Sequence, residues 1–156
     1  MSAQNPTTDN WIAAMLRVAA RFGKPAEGKT LRQQMRWFEH LPVAQQRDRL
    51  CGLLGLHLTM VPQNQLRWRQ DITPVVLVME NNSVAVLEEI DGKGGARYWL
   101  SEGGDVIREG ELASLLSRAQ GDIGVIGVAA RGRDARIDEF VQPYEPHWFW
   151  KNFRGM

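Results

Sequence analysis

Gly23-Lys24-Pro25-Ala26-Glu27-Gly28-Lys29-Thr30 fits letter for letter the G-x-x-x-x-G-K-[ST] spacing with which a glycine-rich loop cradles nucleotide phosphates. That chemistry needs a buried parallel strand to deliver the loop and a helix N-terminus to receive the phosphates. The preceding stretch, 11–22, instead repeats apolar residues at helical spacing, and its Arg17 and Arg21 would be intolerable in a buried central strand. No later apolar strand ends in an aspartate suited to a magnesium ion, so a phosphate-loop nucleotide-binding protein is the weakest functional alternative. Cys51 and His57 invite a second chemistry, a thiol nucleophile with its base. Cys51, however, sits mid-helix between Leu50 and Gly52-Leu53-Leu54, with only Arg47 and Arg49 at its polar edge, which is the setting of a buried, inert thiol. His40, His57 and His147 form no pair at metal-ligand spacing, and a single cysteine builds neither a disulfide nor a cysteine-based zinc site. Neither a metal nor another cofactor is expected. Glu88 and Glu89 are adjacent on a strand and point to opposite faces, so they cannot act as a facing acid pair.

The elements that must position these groups centre on residues 74–102. Three apolar, β-branched or aromatic runs, 75–79, 83–90 and 96–100, are separated by Glu80-Asn81-Asn82 and by Asp91-Gly92-Lys93-Gly94-Gly95, both rich in residues that tolerate positive φ. That pattern predicts an antiparallel meander. Upstream, Asp9 is the expected N-cap of a helix in which Trp11, Ile12, Met15, Leu16, Ala19 and Phe22 follow the 3.6 period, Arg17 and Arg21 lie opposite, and Gly23 ends it. A second helix is predicted over 30–38, with Leu31, Met35 and Phe38, and a third over 43–54, opened by Pro42 and facing inward with Val43, Leu50, Leu53 and Leu54. Residues 57–61 read as a short strand, 106–108 as another, 111–119 as a short helix and 123–130 as a continuous apolar strand suited to a sheet interior. Helices first and a mostly antiparallel sheet after them mean an α+β fold.

At 156 residues, 44% hydrophobic and 24% charged, the chain is a globular domain of ordinary size. A formal net charge of +1 gives no electrostatic reason to expect nucleic acid as a partner. The first residues have neither a basic start nor an apolar core, so no secretory signal is read, and the longest apolar runs fall far below the roughly 20 residues of a membrane-spanning helix. Residues 1–8 are expected to be a disordered tail, 9–130 one domain, and 131–156 a polar, Pro-containing linker with Arg131, Arg133 and Arg136 on a solvated face. The linker runs into Trp148, Phe149 and Trp150 beside Lys151, a combination suited to a membrane interface.

The helical first third, the meander and the aromatic end together resemble the N-terminal domain of type I secretion ABC transporters, which is similar to the papain-like, bacteriocin-processing cysteine peptidases (family 39 of the cysteine class). In those peptidases an Asp-Cys pair starts the first helix and a glycine fourteen residues after the Asp ends it; here Asp9-Asn10 and Gly23 stand at those places. Their histidine opens the second strand of the meander, where this chain has Ser83, and their aspartate closes the next strand, where it has Ser101-Glu102. The His147-Trp148-Phe149-Trp150 stretch matches the one through which the transporters continue into their first membrane helix. The resemblance implies a papain-like fold in which Asn10, Ser83 and Glu102 occupy degenerate triad positions. Asn10 offers no ionisable nucleophile and Ser83 no general base, so the thiolate–imidazole mechanism cannot run.

The resemblance further implies a non-catalytic domain at the cytoplasmic face of a bacterial inner membrane. Its partners would be the transmembrane and ATPase domains of the same transporter and an unfolded exported protein of the repeats-in-toxin or large adhesin kind. Tyr98, Trp99, Trp37 and Phe38 are the candidate substrate contacts, with core packing expected for at least half of them. The alternative from the enzyme class is an active cysteine peptidase that processes leader peptides.

Overall fold

Trp11, Ile12, Met15, Val18 and Ala19 recur at the helical period. In a computed structural model, which describes residues 6–102, 104 and 106–128, they form the buried stripe of α1, Thr8–Arg21. The expected N-cap at Asp9 is corrected to Thr7, whose side chain accepts a hydrogen bond from the Asn10 backbone N–H at 3.2 Å. Asp9 falls inside the first turn, where its charge favours the positive end of the helix. The helix therefore reaches into the stretch 1–8 expected to be a tail, and Pro6 is buried. Gly23 follows at φ +70°, the left-handed conformation that ends a helix.

α2 is Gly28–Met35, starting two residues before the predicted Thr30, and its last turn tightens into a 3-10 turn, Arg36–Phe38. α3 is Val43–Leu53, with Pro42 at the N-cap position. Its buried side carries Gln46, Leu50 and Cys51 and continues into Leu54, while Val43 is half-buried. Leu53 is 43% exposed, against the inward placement expected for it. From Leu50, Leu54 is turned by about 40° and Leu53 by about 60° in the other sense, away from the packed stripe. Gln46 is tolerated in the interior because its amide is bonded: Nε2 donates to Leu41 O at 2.7 Å and Oε1 accepts from Thr8 Oγ1 at 2.9 Å.

Within the described residues six strands form one sheet: β1 Leu56–Val61, β2 Val75–Met79, β3 Val84–Ile90, β4 Gly95–Leu100, β5 Ile107–Glu111 and β6 Ala119–Val128, with a short helix α4, Leu112–Ser117, between the last two. The order is β1-β6-β2-β3-β4-β5 and every neighbouring pair is antiparallel. The predicted meander is β2-β3-β4. The apolar run from Ile123 lies inside the sheet between β1 and β2, but its strand begins four residues earlier than predicted. Its register against β2 passes from Leu77↔Ile123 to Val78↔Gln120, so Gly121 and Asp122 form a bulge, and Gly121 takes φ +67° there. A polar, glycine-containing bulge hides a strand from any reading by hydrophobicity.

The sheet is covered on both faces. Val76, Val84, Val86 and Trp99 pack under α1, α2 and α3, with Trp11, Met15, Val18, Leu31 and Leu50 above them. Val75, Leu77, Ala85, Leu87 and Tyr98 face the other way, against Leu66, Ile72 and Leu115 from the 62–74 connection and α4. Each large side chain so buried contributes about 1.5–3 kcal/mol.

Arg17, half-buried, and Arg21, exposed, both turn their heads toward β3. With Asn10 and Ala14 they form a second stripe that lies along β3: Arg17 Nε is bonded to Glu88 Oε2, and Arg21 Nη2 donates to Glu88 O at 3.1 Å. The tertiary partner overrides the local reading. Glu88 faces α1 with Val84 and Val86 by strand alternation, and there β3 bulges: the register steps from Leu87↔Tyr98 to Glu89↔Arg97 and leaves Glu88 without an opposite residue on β4. Past that step Glu89 stands opposite Arg97 and meets it at 3.4 Å on the face that carries Trp99, so the expectation that Glu88 and Glu89 point to opposite faces is corrected: the bulge brings both to the α1 face, each taken up by its own arginine. No helix of the described residues is long and apolar enough to cross a membrane. Arg131, Arg133, Arg136, Trp148, Phe149, Trp150 and the whole 131–156 linker lie outside the described residues.

Candidate functional site

The N-terminus of α1, the β2–β3 hairpin and the end of β4 meet at one end of the sheet. Asn82 makes the hairpin possible by adopting φ +67°, a conformation asparagine tolerates, and its backbone N–H closes onto Met79 O at 2.9 Å. Asn81 Oδ1 accepts hydrogen bonds from the Ser83 N–H at 3.2 Å and the Ser83 hydroxyl at 2.6 Å, and Asn81 Nδ2 donates to Glu102 Oε2 at 3.3 Å. Asn10 Nδ2 donates to Asn82 O at 3.3 Å, which ties the first helix to the hairpin. Gln120 Nε2 donates to Met79 O at 2.7 Å and to Asn82 Oδ1 at 3.3 Å.

Asn10, Ser83 and Glu102, chosen from three distant parts of the sequence, are thus drawn into one polar cluster, Ser83 and Glu102 through their shared partner Asn81 and Asn10 through the adjacent Asn82 carbonyl. Ser83 is its buried centre at 1% exposure, while Asn10 is half-buried and Glu102 is exposed. Sequence reasoning missed the residues that connect them. Asn81 and Asn82 carried only a turn signal, and Gln120 is aimed at the cluster by the β6 bulge, which hydrophobicity does not reveal. The groups assembled are amides, a hydroxyl and one carboxylate. They donate and accept hydrogen bonds, but none is a nucleophile activated by a base. His40 and His57 are exposed on other elements, His57 on β1, which is separated from β3 by β6 and β2.

Cys51 sits in a setting that disfavours the thiolate. It is buried on α3 beside Leu50, and burial pushes its thiol up to about 12, an effect that the nearby Arg47 only partly offsets. The native protein is therefore expected to resist iodoacetamide at pH 8, with full labelling after unfolding in urea, as mass spectrometry would read. The sign for stability follows: the unfolded thiol ionises near its ordinary 9.0 while the folded one stays protonated to about 12, so stability should fall as pH rises through that window.

The phosphate-loop match fares no better. Gly23 closes α1, so a helix and not a strand precedes the loop, and Gly28, Lys29 and Thr30 form the first turn of α2. Among the described residues no group of histidine, cysteine, aspartate and glutamate could hold a metal ion.

The candidate contact residues divide evenly. Trp99 is 5% exposed under α1 and Tyr98 is 7% exposed on the opposite face, both within the interior. Trp37 is 80% exposed on the 3-10 turn after α2, and Phe38 beside it is half-buried with the Arg49 guanidinium 5.7 Å from its ring centroid.

No family model and no curated protein matches the sequence. The fold is similar to the crystal structure of the N-terminal peptidase C39-like domain of the toxin secretion ATP-binding protein from Vibrio parahaemolyticus, at 18% sequence identity and a TM-score of 0.57, covering 81% of this chain and 99% of that one. The α+β architecture expected from the sequence is therefore the fold of a papain-like, C39-type peptidase domain.

Proposed function

We propose that this chain is a non-catalytic, peptidase-like domain of a type I secretion ABC exporter. On this reading it binds or positions the unfolded secreted protein, of the repeats-in-toxin or adhesin kind, at the cytoplasmic face of the bacterial inner membrane. The observation that carries the reading is the composition of the cluster: Asn10, Ser83 and Glu102 come together at one end of the sheet with no thiol and no imidazole among them. The likeness to a domain of a toxin secretion ATP-binding protein supports the transporter context. Transmembrane and ATPase domains of the same transporter are then its partners, with Trp148, Phe149 and Trp150 at the membrane-proximal end of the linker. A papain-like scaffold suits an extended chain, and without a nucleophile it holds without cutting. Affinity is modest on physical grounds, because the ordering entropy of an unfolded segment opposes binding.

The experiment is a titration of the 15N-labelled chain with an unfolded C-terminal segment of the exported protein encoded beside it. Specific amide shifts are expected, together with no cleavage of a double-glycine leader peptide; absence of shifts at millimolar segment would sink the reading. A rebuilt site sharpens it. Asn10→Cys combined with Ser83→His is expected to gain no peptidase activity and to lose about 1–3 kcal/mol in urea unfolding, because an imidazole overfills the place of a buried hydroxyl.

A further inference from the structure

Away from the Asn10–Ser83–Glu102 cluster, an apolar groove opens between the 91–95 turn, the 66–72 connection and α4. Two adjoining hollows of about 670 and 580 Å³ share Trp68, Asp91, Gly94 and Leu112 as walls, and Leu116 and Ile90 extend the floor. Trp68, Leu112 and Leu116 are only half-buried, although they pack on the core beneath them. A third hollow of about 360 Å³ adjoins across Asp91 and Gly95, lined by Glu89, Arg97 and Glu109 among others.

The charges around this groove lean negative in a chain whose formal net charge is +1. The two hollows of the groove carry three carboxylates (Asp71, Asp91, Glu111) against two cations (Arg69, Lys93), while Glu89, Arg97 and Glu109 of the third hollow lie toward the α1 face of the sheet. Arg97 is taken up by Glu89 at 3.4 Å and Glu109 at 3.5 Å, and Arg69 meets Asp71 at 2.9 Å. Among the described residues that line the two hollows, Asp91 and Glu111 remain against Lys93. Asp91 stays ionised, since the Gly95 and Lys93 backbone N–H groups bonded to it hold its carboxyl below the usual carboxylate range.

The backbone beside the groove is suited to an extended guest. β5 is the last strand in the sheet order, so among the described residues no strand covers its outer edge, and Glu109 and Glu111 on it border the hollows. The register also fixes the end of the sheet concerned. Val125 of β6 lies opposite Val75, which lies opposite Leu87, so β6 finishes at the end where β3 runs into the 91–95 turn. The described chain leaves at Val128 from that same end, opposite to the end that holds Asn10 and Ser83.

We propose that this groove is the docking site for an extended, unfolded polypeptide segment in which aromatic or branched apolar residues stand next to arginine or lysine. An apolar side chain enters between Trp68 and Leu112, the neighbouring cation faces Asp91 and Glu111, and the guest backbone runs along the edge of β5. The proposal rests on the substrate-holding reading above and names its site.

The probe is the peptide Gly-Ser-Arg-Val-Trp-Val-Arg-Val-Trp-Arg-Ser-Gly, titrated into the 156-residue chain by NMR, with a counterpart that carries glutamate for each arginine. Shifts are expected on the Trp68 indole and the amides of 91–95 and 111–116. Trp68→Ala should weaken binding roughly tenfold or more, as for a desolvated aromatic anchor. Ala113→Arg, on the exposed side of α4, should do the same by filling the groove and reversing its charge without touching the core, while Trp37→Ala changes nothing. Shifts centred on Trp37 or on Asn10 and Ser83, full affinity in Ala113→Arg, or equal affinity for the glutamate peptide would each overturn the proposal. The unfolded exported segment separates the two ideas. Binding to the wild type and equally to Ala113→Arg overturns the groove alone, and no binding to the wild type overturns the holding role with it.

Discussion

Trp99→Ala is expected to destabilise the protein by about 3–5 kcal/mol, the range for emptying a tryptophan site in a core. Trp37→Ala should stay within about 0.5 kcal/mol, as for an exposed position. The two residues looked alike as candidate contacts, yet Trp99 is 5% exposed opposite Val86 and beneath α1, while Trp37 is 80% exposed. The Trp99 indole Nε1 is buried with no hydrogen-bond partner among the described residues, so Trp99→Phe removes an unsatisfied donor along with some volume and should cost less than half as much as alanine. Urea unfolding of the three variants, followed by far-UV circular dichroism, measures this; equal losses for Trp37→Ala and Trp99→Ala would contradict the burial of Trp99 in the core beneath the helices.

Glu88→Ala should lose about 2–3 kcal/mol, short of the roughly 3–5 kcal/mol for breaking a fully buried pair, because the Arg17 head keeps some water. The side chains are 11% and 27% exposed, and Arg17 also stacks on Trp99 with its guanidinium 5.6 Å from the ring centroid. Removing the carboxylate leaves that cation partly desolvated and also loosens the bulge through which Arg21 reaches Glu88 O. At about 2–4 °C per kcal/mol for a chain of this size, the melting temperature should drop by roughly 4–12 °C. Replacing both partners, Arg17→Met with Glu88→Met, should recover most of the loss, since apolar residues of similar length need no pairing. Because Arg17 touches both Trp99 and Glu88, the effects of Trp99→Ala and Glu88→Ala are expected to add imperfectly, and a double-mutant cycle reads the coupling.

The phosphate-loop match illustrates why a motif has to be judged by what delivers it. Its eight letters are intact, but the apolar period before Gly23 is helical, and the structure keeps Gly23 as the end of α1. Cys51 illustrates the same point for a single residue. Its neighbours in sequence already described a buried thiol, and its desolvated setting on α3 agrees.

Read alone, the sequence determined the element order, the α+β class, the stop at Gly23 and the three strands of the meander. These follow from periods of 3.6 and 2 and from glycine and asparagine at the turns, all of them properties of a few consecutive residues. Only the tertiary structure decided which faces meet. Bulges at Glu88 and at Gly121-Asp122 reset the alternation around them, so Glu89 turned to the same face as Glu88 and Gln120 turned into the Asn82 hairpin. A change of one residue in register carries a side chain to the other face of the sheet, and nothing within a strand's own residues records that choice. For the same reason the cluster of Asn10, Ser83 and Glu102 could be placed by position but not connected, and the groove beside Trp68 became visible only once the 66–72 connection, the 91–95 turn and α4 were brought together by packing.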